Sequence, residues 1–239
     1  MLTNGLDILR LLAAADCPLT ATAIGARVGL HPSNVSRTLR VLIQAGYVRK
    51  PSYHSFAVDL GVLALAGQTV KNLPVISRTA EPMRLLAAQH SGVVTLAARF
   101  HEQVLYLHRT ECGRDPVVAE AGGWPLHRSV VGLRLLADLS DAEALAELKR
   151  SARCYGWDRP TPAVPASPAA CLVAVRAAYR HGALFLDGWD RRGVGKMAIG
   201  IAVPGQPPLA LSLFGNDPRA LRAALELGAN AIIHALEHP

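Results

Sequence analysis

The residues that could act as nucleophiles, bases or metal ligands lack the spacing that catalysis requires. Ser129 or Ser212 could be a nucleophile with His127 as its base, and Cys112 with His108 is a second candidate pair. No G-x-S-x-G turn presents either serine. His127 lies two residues from Ser129, a spacing that does not by itself direct the imidazole to the hydroxyl. No H-x-E or H-E-x-x-H spacing suggests a metal site, and no glycine-rich loop suggests a phosphate site. We therefore expect no enzyme, no cofactor and no metal ion.

Guanidinium groups in the stretch "GLHPSNVSRTLRVLIQAGYVRK" offer binding chemistry instead. At about 100° per residue, a helix that starts at Pro32 separates two faces. The apolar face is formed by Val35, Leu39 and Leu42, and the opposite face by Ser33, Arg37, Arg40 and Gln44. Hydrogen-bonding and cationic side chains of this kind suit base edges and phosphates. Ser33 and Asn34 lie near the helix N-terminus, where backbone N–H groups can receive a phosphate.

The charge distribution agrees with a polyanionic partner. The chain has 239 residues, half of them apolar and 18% charged, with a formal net charge of +7. Residues 1–58 carry six basic and two acidic residues, so more than half of the net positive charge lies in the first quarter of the chain. Such an asymmetry indicates a partner such as nucleic acid, although a basic face can also be merely solvated.

Other compositional features bear on the compartment. The four cysteines are far apart and form no C-x-x-C pair, which argues against a zinc site or a disulfide framework and fits a reducing cytoplasm. No apolar run reaches about 18 residues, so we expect no membrane span. The start, "MLTNGLDILR", lacks the order of a signal peptide.

The elements that position the basic face predict a winged helix-turn-helix over residues 1–59. Apolar spacing predicts a first helix over residues 3–15, and Thr20 caps a second helix that Gly29 ends. The third helix begins at Pro32 and stops at Gly46. "YVRKPSYHSFAVD" then predicts two strands joined by a turn around residues 51–52, a basic wing. The residues expected at the DNA are Thr20, Ser33, Asn34, Ser36, Arg37, Arg40, Gln44, Arg49, Lys50 and Tyr53.

The next segment, residues 60–75, predicts a linker helix. "LGVLALAGQTVKNL" is apolar on nearly every side and must be covered. Packing against a second copy of itself is one interpretation, and docking on its own C-terminal domain is the other. Dimerisation is attractive because two-fold pairing doubles the contacts across a palindrome.

Residues 76–239 predict an α+β domain. Short apolar segments such as "VVTLAARF", "QVLYLHRT", "ALFLD", "KMAIGIAV" and "PLALSLFG" predict strands. Helical patterns lie between them, and a proline-rich loop is expected over residues 154–168. A long final helix is capped by Asp217, with Pro218 at its first position. We expect the helices on one side of a largely antiparallel sheet, as in sensor modules of the GAF or PAS kind.

The whole order of elements resembles the IclR family of bacterial transcription regulators. The resemblance rests on the helix-turn-helix segment quoted above, on "GGWPLHRSVVGLRLLADLS", and on "GIAVP" and "ALSLFG" near the end. It implies a dimer or tetramer that binds a palindromic DNA operator and no membrane. It also implies a C-terminal domain that binds a small, often carboxylate-bearing effector. Whether such a protein represses or activates depends on the position of its operator, which this sequence does not encode.

The resemblance also implies an effector pocket. Its positions correspond to the main-chain amides of Val130 and Val131 after Ser129, to Asp187, with Asp190 as the less favoured alternative, and to Ser212. Several positions depart from the family pattern: Phe214 stands for a second serine, Gly200 for a cysteine, Leu133 for a lysine, and Arg128 with two valines for small residues. These departures favour a larger or more apolar effector such as an aromatic acid, or a site that has lost its ligand. A winged-helix module that mainly binds another protein is the alternative function.

Overall fold

The protein is described by a computed structural model over residues 2–90, 92–111 and 117–238, without the side chains of residues 118–123. The chain divides into two compact units, Met1–Lys71 (unit 1) and Asn72–Pro239 (unit 2), which are described in turn. None of the helices in these described ranges is both long and apolar enough to cross a lipid bilayer.

Unit 1 is a small helical domain with a three-stranded sheet. Its elements are α1 (Leu2–Ala13), β1 (Leu19–Thr20), α2 (Ala21–Val28), α3 (Pro32–Gln44), β2 (Val48–Ser52), β3 (Ser55–Val58) and α4 (Leu60–Asn72). The strand order is β1-β3-β2, with both pairs antiparallel. Its core contains apolar side chains from α1, α2 and α3, among them Ile8, Ile24, Val35 and Leu39. The predicted helix-turn-helix with its wing is therefore present.

Local signals explain where these elements begin and end. The Thr20 hydroxyl accepts a hydrogen bond from the amide of Ala23 at 3.2 Å, so it caps α2 as predicted. Gly29 ends α2 in the left-handed conformation with φ of 68°. The predicted hairpin turn was wrong by two residues: the chain reverses at Tyr53 and His54, and Pro51 and Ser52 remain within β2.

Unit 2 is built on one large sheet. Its helices are α5 (Pro74–Ser77), α6 (Ala80–Gln89), a 3₁₀ helix (Leu126–Arg128), α7 (Val130–Leu136), α8 (Asp141–Tyr155), α9 (Pro168–Ala178) and α10 (Pro218–Glu237). Its strands are β4 (Val93–Phe100), β5 (Gln103–Glu111), β6 (Val117–Pro125), β7 (Tyr179–Arg180), β8 (Ala183–Asp187), β9 (Gly195–Ile201) and β10 (Leu209–Phe214). The strand order is β6-β5-β4-β10-β9-β8-β7, and every neighbouring pair is antiparallel.

Helices cover both faces of this sheet, and not one face as expected. Helix α7 packs on β4, β9 and β10, whereas α10 also packs on β9 and β10 and contacts α6. Consecutive residues of β10 point to opposite faces of the sheet. Ala210 belongs to the apolar core that contains the side chains of α7, whereas Leu211 lies beside Gly228 of α10. Both faces are covered because the central strand β10 is apolar on both sides. Every residue from Leu209 to Leu213 is buried, although alternate residues point to opposite faces.

Two predicted segments of unit 2 begin or end at other residues than expected. Helix α8 continues to Tyr155, so Cys154 is helical and the proline-rich loop begins after it. A strand was also expected over "DPVVAEA", residues 115–121, whose first two residues lie outside the described ones; the strand observed there, β6, runs from Val117 to Pro125. Asp217 caps α10 as expected, because its carboxylate accepts from the amides of Arg219 and Ala220.

Candidate nucleic-acid interface and ligand cavity

Helix α3 is fixed to unit 1 by its apolar face. Val35 and Leu39 are fully buried, and α3 packs against both α1 and α2. Pro32 occupies the first turn, where its missing N–H has no cost. The ring of His31 caps the helix, since its Nδ1 lies 3.4 Å from the amide of Ser33 and 2.9 Å from the Ser33 hydroxyl. The orientation of the opposite face is thereby set.

The opposite face of α3 is open to solvent in unit 1. Its exposed polar side chains are Ser33, Asn34, Ser36, Arg37, Arg40 and Gln44. Within the described ranges, neither Arg37 nor Arg40 forms an ion pair with a carboxylate. Two guanidinium groups on one exposed helical face form a surface that can contact base edges and phosphates.

The β2–β3 hairpin presents a second basic surface. Arg49 and Lys50 are exposed, and Tyr53 at the turn is 82% exposed. The Lys50 ammonium lies 4.8 Å from the centre of the Tyr53 ring, which gives the tip a paired cation and aromatic face. Thr20 is exposed at the start of α2, with its hydroxyl engaged in the cap.

Unit 2 contains a compact cavity of about 90 Å³ beside the start of α7. It is lined from the sheet, from the start of α7 and from the loop between β8 and β9. The lining residues are Thr95, Tyr106, Arg109, Trp124, Arg128, Ser129, Val130, Val131, Asp190, Lys196, Ser212 and Phe214. Three are aromatic and three are cationic, while Asp190 is the single carboxylate among them. A cavity of this size and charge suits a small organic anion better than a nucleotide or a peptide.

The hydroxyl groups around the cavity pair with one another. The Thr95 and Ser212 hydroxyls are 2.6 Å apart, and the Tyr106 hydroxyl lies 3.1 Å from that of Ser129. These bonds tie β4 to β10, and β5 to the residue before α7. They show that the polar residues of the cavity are held in place by neighbours on other elements.

Two of the cationic residues that line the cavity form ion pairs with carboxylates. The Lys196 ammonium donates to Asp190 Oδ2 and lies 4.2 Å from the centre of the Phe214 ring. Arg128 pairs with Asp158, with 3.1 Å between Nη1 and Oδ2. Phe214, which the sequence places at a serine position of the family, therefore packs against a cation inside the cavity.

The structure brings together most of the predicted effector residues but not all. Ser129, Val130, Val131, Ser212 and Phe214 line the cavity. Asp187 does not line it: this residue ends β8 with an exposed side chain, and Asp190, the less favoured alternative, is the carboxylate present.

Gly200 does not line the cavity either, because another side chain occupies the space beside it. A Cβ at Gly200 would lie 2.4 Å from Nη2 of Arg134, whose guanidinium also donates to the carbonyl of Gly182 and to Asp138. Arg134 is thus a buried cross-link between α7 and the strands.

The sequence did not indicate five of the twelve residues that line the cavity. Thr95, Tyr106, Arg109, Trp124 and Lys196 come from β4, β5, β6 and β9. The alternation of each strand shows which residues share a face, but it does not show which strands are neighbours. The strand order of the sheet was needed to unite residues more than 100 positions apart.

The groups considered as catalytic pairs are engaged elsewhere. His127 is fully buried, with Nδ1 3.0 Å from the Ser151 hydroxyl and its ring stacked on Trp157. Burial lowers the pKa of His127 to about 4, although the nearby Asp158 carboxylate opposes this shift. His108 Nε2 lies 2.9 Å from the carbonyl oxygen of Ile76. Cys112 lies outside the described residues.

Comparison with known proteins gives a family assignment for the N-terminal region. Residues 1–52 match the IclR helix-turn-helix domain. No curated protein matches the chain significantly.

Solved structures share the fold over the whole chain. An IclR-family transcriptional regulator from Brucella abortus is 21% identical, with a TM-score of 0.76 over 99% of this chain and 90% of that one. A putative IclR transcriptional regulator from Silicibacter is 20% identical, with a TM-score of 0.77 over 98% and 95%. An IclR homologue from Microbacterium hydrocarbonoxydans, complexed with 4-hydroxybenzoate, is 22% identical, with a TM-score of 0.73 over 100% and 99%.

Proposed function

We propose that this chain, which belongs to the IclR family of transcription regulators, reads operator DNA with α3 and responds to a small organic acid in the unit 2 cavity. The observation that carries the DNA-reading role is the division of α3 into a buried apolar face and an exposed cationic face within an IclR helix-turn-helix domain. In helix-turn-helix proteins such a helix lies in the major groove. Action on chromosomal DNA places the protein in the cytoplasm.

The residues of α3 and of the hairpin have different roles in this proposal. Arg37, Arg40 and Gln44 face the base edges, because they project from the helix that enters the groove. Arg49 and Lys50 contact phosphates beside the groove, with Tyr53 at the hairpin tip. Ser33, Asn34, Ser36 and Thr20 contact the DNA backbone from helix N-termini.

The protein acts as a dimer in this proposal, and α4 supplies an interface. None of the residues of α4 is buried in the protomer, and Leu60, Leu63 and Leu65 are 75%, 68% and 57% exposed. A helix with this much uncovered apolar surface needs a partner. A second copy is the partner that also doubles the DNA contacts and makes a palindromic operator the natural target.

An aromatic acid is the proposed effector class. Tyr106, Trp124 and Phe214 supply ring faces to the cavity, and its cationic residues outnumber its carboxylate. The Microbacterium homologue, which shares the fold, is complexed with 4-hydroxybenzoate. This acid is therefore a sensible first probe for the present chain.

A salt series tests the DNA-binding role. Binding of the full chain to DNA from upstream of its own gene is measured by fluorescence anisotropy between 50 and 200 mM salt, conditions over which phosphate contacts weaken binding steeply. Several phosphate contacts per protomer predict a steep linear fall of log affinity with log salt. An affinity that does not change with salt would contradict the proposal.

Substitutions separate base reading from phosphate binding. Arg37→Ala or Arg40→Ala should change the preference among operator sequences, at a cost of about 1–3 kcal/mol on the preferred one. Lys50→Ala should weaken binding to all sequences alike and reduce the salt slope by about one. Arg219→Ala, which removes an exposed guanidinium in unit 2, is the matched control. If the arginine variants of α3 leave the biological effect intact, the alternative of a protein-interaction module is favoured.

A further inference from the structure

Helix α3 carries an exposed apolar side chain among the polar ones that the proposed function turns towards DNA. Val41 is 52% exposed, whereas Val35 and Leu39 of the same helix are fully buried. It follows Arg37 by four residues and precedes Gln44 by three. Residues at these spacings are neighbours on one face of a helix, so Val41 belongs to the cationic face and not to the core of unit 1.

The angular position of Val41 supports this placement. At about 100° per residue, Val41 lies about 40° from Arg37 and about 60° from Gln44 around the axis of α3. Ile43 is also exposed, by 37%, but it lies about 160° away from Val41 on another side of the helix. Val41 is therefore surrounded by the side chains that the proposed function assigns to base edges, and Ile43 provides an exposed apolar residue for comparison.

The chemistry of a valine limits what it can recognise in the major groove. Its side chain contains only carbon and hydrogen, so it can distinguish bases by apolar contact alone. Among the groups that bases present in this groove, the C5-methyl group of thymine is the apolar one, and the others donate or accept hydrogen bonds. A valine over one of those polar groups would remove it from water without pairing it, which costs affinity. Contact with the methyl group of thymine instead removes two apolar surfaces from water.

The side chain of Val41 is also held in a defined position. In a helix, a β-branched side chain keeps essentially one χ1 rotamer, so little conformational entropy is lost when a base covers it. The apolar contacts of Val35 and Leu39 fix the helix in the core of unit 1. The two methyl groups of Val41 therefore have a fixed place relative to the cationic side chains around them.

We propose that Val41 is a specificity-determining residue of α3, which selects thymine by contact with its C5-methyl group. This inference rests on the proposed function, in which α3 lies in the major groove. It divides the base reading of this helix into polar contacts from Arg37, Arg40 and Gln44 and one apolar contact from Val41. It also requires a T·A base pair in each half-site of the operator, at the position that Val41 reaches.

Replacement of thymine by deoxyuridine tests this contact, because uracil keeps every hydrogen-bonding group of thymine and lacks only the methyl group. The affinity of the full chain for DNA from upstream of its own gene is measured by fluorescence anisotropy, with each thymine replaced in turn. At one position in each half-site, the replacement should lower the wild-type affinity about fourfold, as expected for the loss of one buried methyl-sized group.

A double-mutant cycle assigns the effect to Val41. Val41→Ala should lower the affinity for the thymine-containing DNA by a similar factor, and deoxyuridine at the same position should then cause no further loss. Ile43→Ala, which shortens the exposed apolar side chain on another side of α3, should keep the full sensitivity to the methyl group. Alanine is the best helix former, so both variants should fold, and thermal melts check this.

The outcomes separate this inference from the proposed function. The inference is wrong if wild-type protein binds DNA with a steep salt dependence but has no methyl-sensitive position. It is also wrong if Val41→Ala remains as sensitive to deoxyuridine as the wild type. In both cases the DNA-binding role of α3 stands. If the affinity of the full chain for DNA does not change with salt, the proposed DNA-reading role fails and the role of Val41 fails with it.

Discussion

At the scale of single residues, the chemical state of His127 is set by what surrounds it. Trp157 stacks on its ring at 4.3 Å, and the Trp189 indole donates to its carbonyl oxygen at 3.1 Å. The Asp158 carboxylate is 4.0 Å from Nε2 and is itself paired with Arg128. Burial dominates these influences, so the pKa of His127 falls to about 4 and the ring is neutral at physiological pH.

This depressed pKa predicts a loss of stability on acidification. Between pH 6.5, the ordinary value for histidine, and about pH 4, the unfolded chain binds a proton at His127 that the folded chain does not. The lowered pKa of His127 therefore adds to the free energy of unfolding. This contribution is fully present above the unfolded pKa and decreases as the pH falls towards the folded pKa. The decrease between pH 7.5 and pH 5 should be about 2 kcal/mol.

Urea unfolding of unit 2 within the full chain measures this effect. The wild type and His127→Gln differ in their free energy of unfolding. This difference should decrease by about 2 kcal/mol as the pH falls from 7.5 to 5, because glutamine does not bind a proton. A difference between wild type and His127→Gln that is independent of pH would show that burial does not govern this group.

Gly132 is a residue at which a single methyl group should be costly. A Cβ there would lie 2.6 Å from the carbonyl oxygen of Leu126 and 2.8 Å from Cγ2 of Val104. Gly132→Ala should destabilise unit 2 by about 1–3 kcal/mol in denaturant unfolding, since backbone and core must both move. Gly67→Ala in α4 is the contrasting change, because among the described residues no heavy atom beyond its chain neighbours and the adjacent backbone of α4 lies within 4 Å of its added methyl group. It should stabilise the helix by about 0.5–1 kcal/mol.

At the scale of elements, α4 allows a direct test of assembly. Leu63→Glu places a charge on the exposed apolar face of this helix, which the proposal buries against a second copy. We expect sedimentation at micromolar concentration to show a shift from dimer towards monomer, with the helix content unchanged. DNA affinity should fall at least about tenfold, because each monomer retains only one reading head.

The matched control for α4 is Leu227→Glu in α10. Leu227 is 64% exposed, close to the 68% of Leu63, but it lies on a different helix. This change should leave the oligomeric state and the DNA affinity as in the wild type. Equal effects of the two substitutions would argue against α4 as the interface.

At the scale of the whole molecule, regulation requires that the ligand in unit 2 and the DNA on unit 1 affect each other. Thermodynamic linkage makes this effect reciprocal. If 4-hydroxybenzoate changes operator affinity by some factor, typically about 5–150-fold, saturating operator must change the affinity for 4-hydroxybenzoate by the same factor. Anisotropy titrations with and without the acid measure the change in operator affinity. Calorimetry with and without DNA measures the change in affinity for the acid.

Two results would separate binding from coupling. A ligand that stabilises the fold by about 2.7 kcal/mol at 100 times its dissociation constant but leaves operator affinity unchanged would show a site without regulation. In Arg128→Gln, the effect of the acid on DNA binding should be lost, while DNA affinity without ligand remains, because Arg128 lies in unit 2.

The N-terminal fold was predictable because its determinants are local. Val35 and Leu39 share a face within a single helix, so the period of 3.6 residues alone predicts that they are buried and that Arg37 and Arg40 are not. Thr20 and Gly29 directly flank α2, the helix whose two ends they determine. The hairpin turn was misplaced because proline usually indicates a turn, yet this edge strand tolerates Pro51.

Patterns among consecutive residues were enough to predict helix α3, its cationic face and the antiparallel α+β character of unit 2. The cavity could be found only once the strands were placed in their sheet. Its lining comes from strands that are distant in sequence, and the choice of Asp190 over Asp187 depends on how the loop between β8 and β9 returns to the sheet. Helical periodicity is a property of consecutive residues, whereas a cavity depends on which strands pair and in what register.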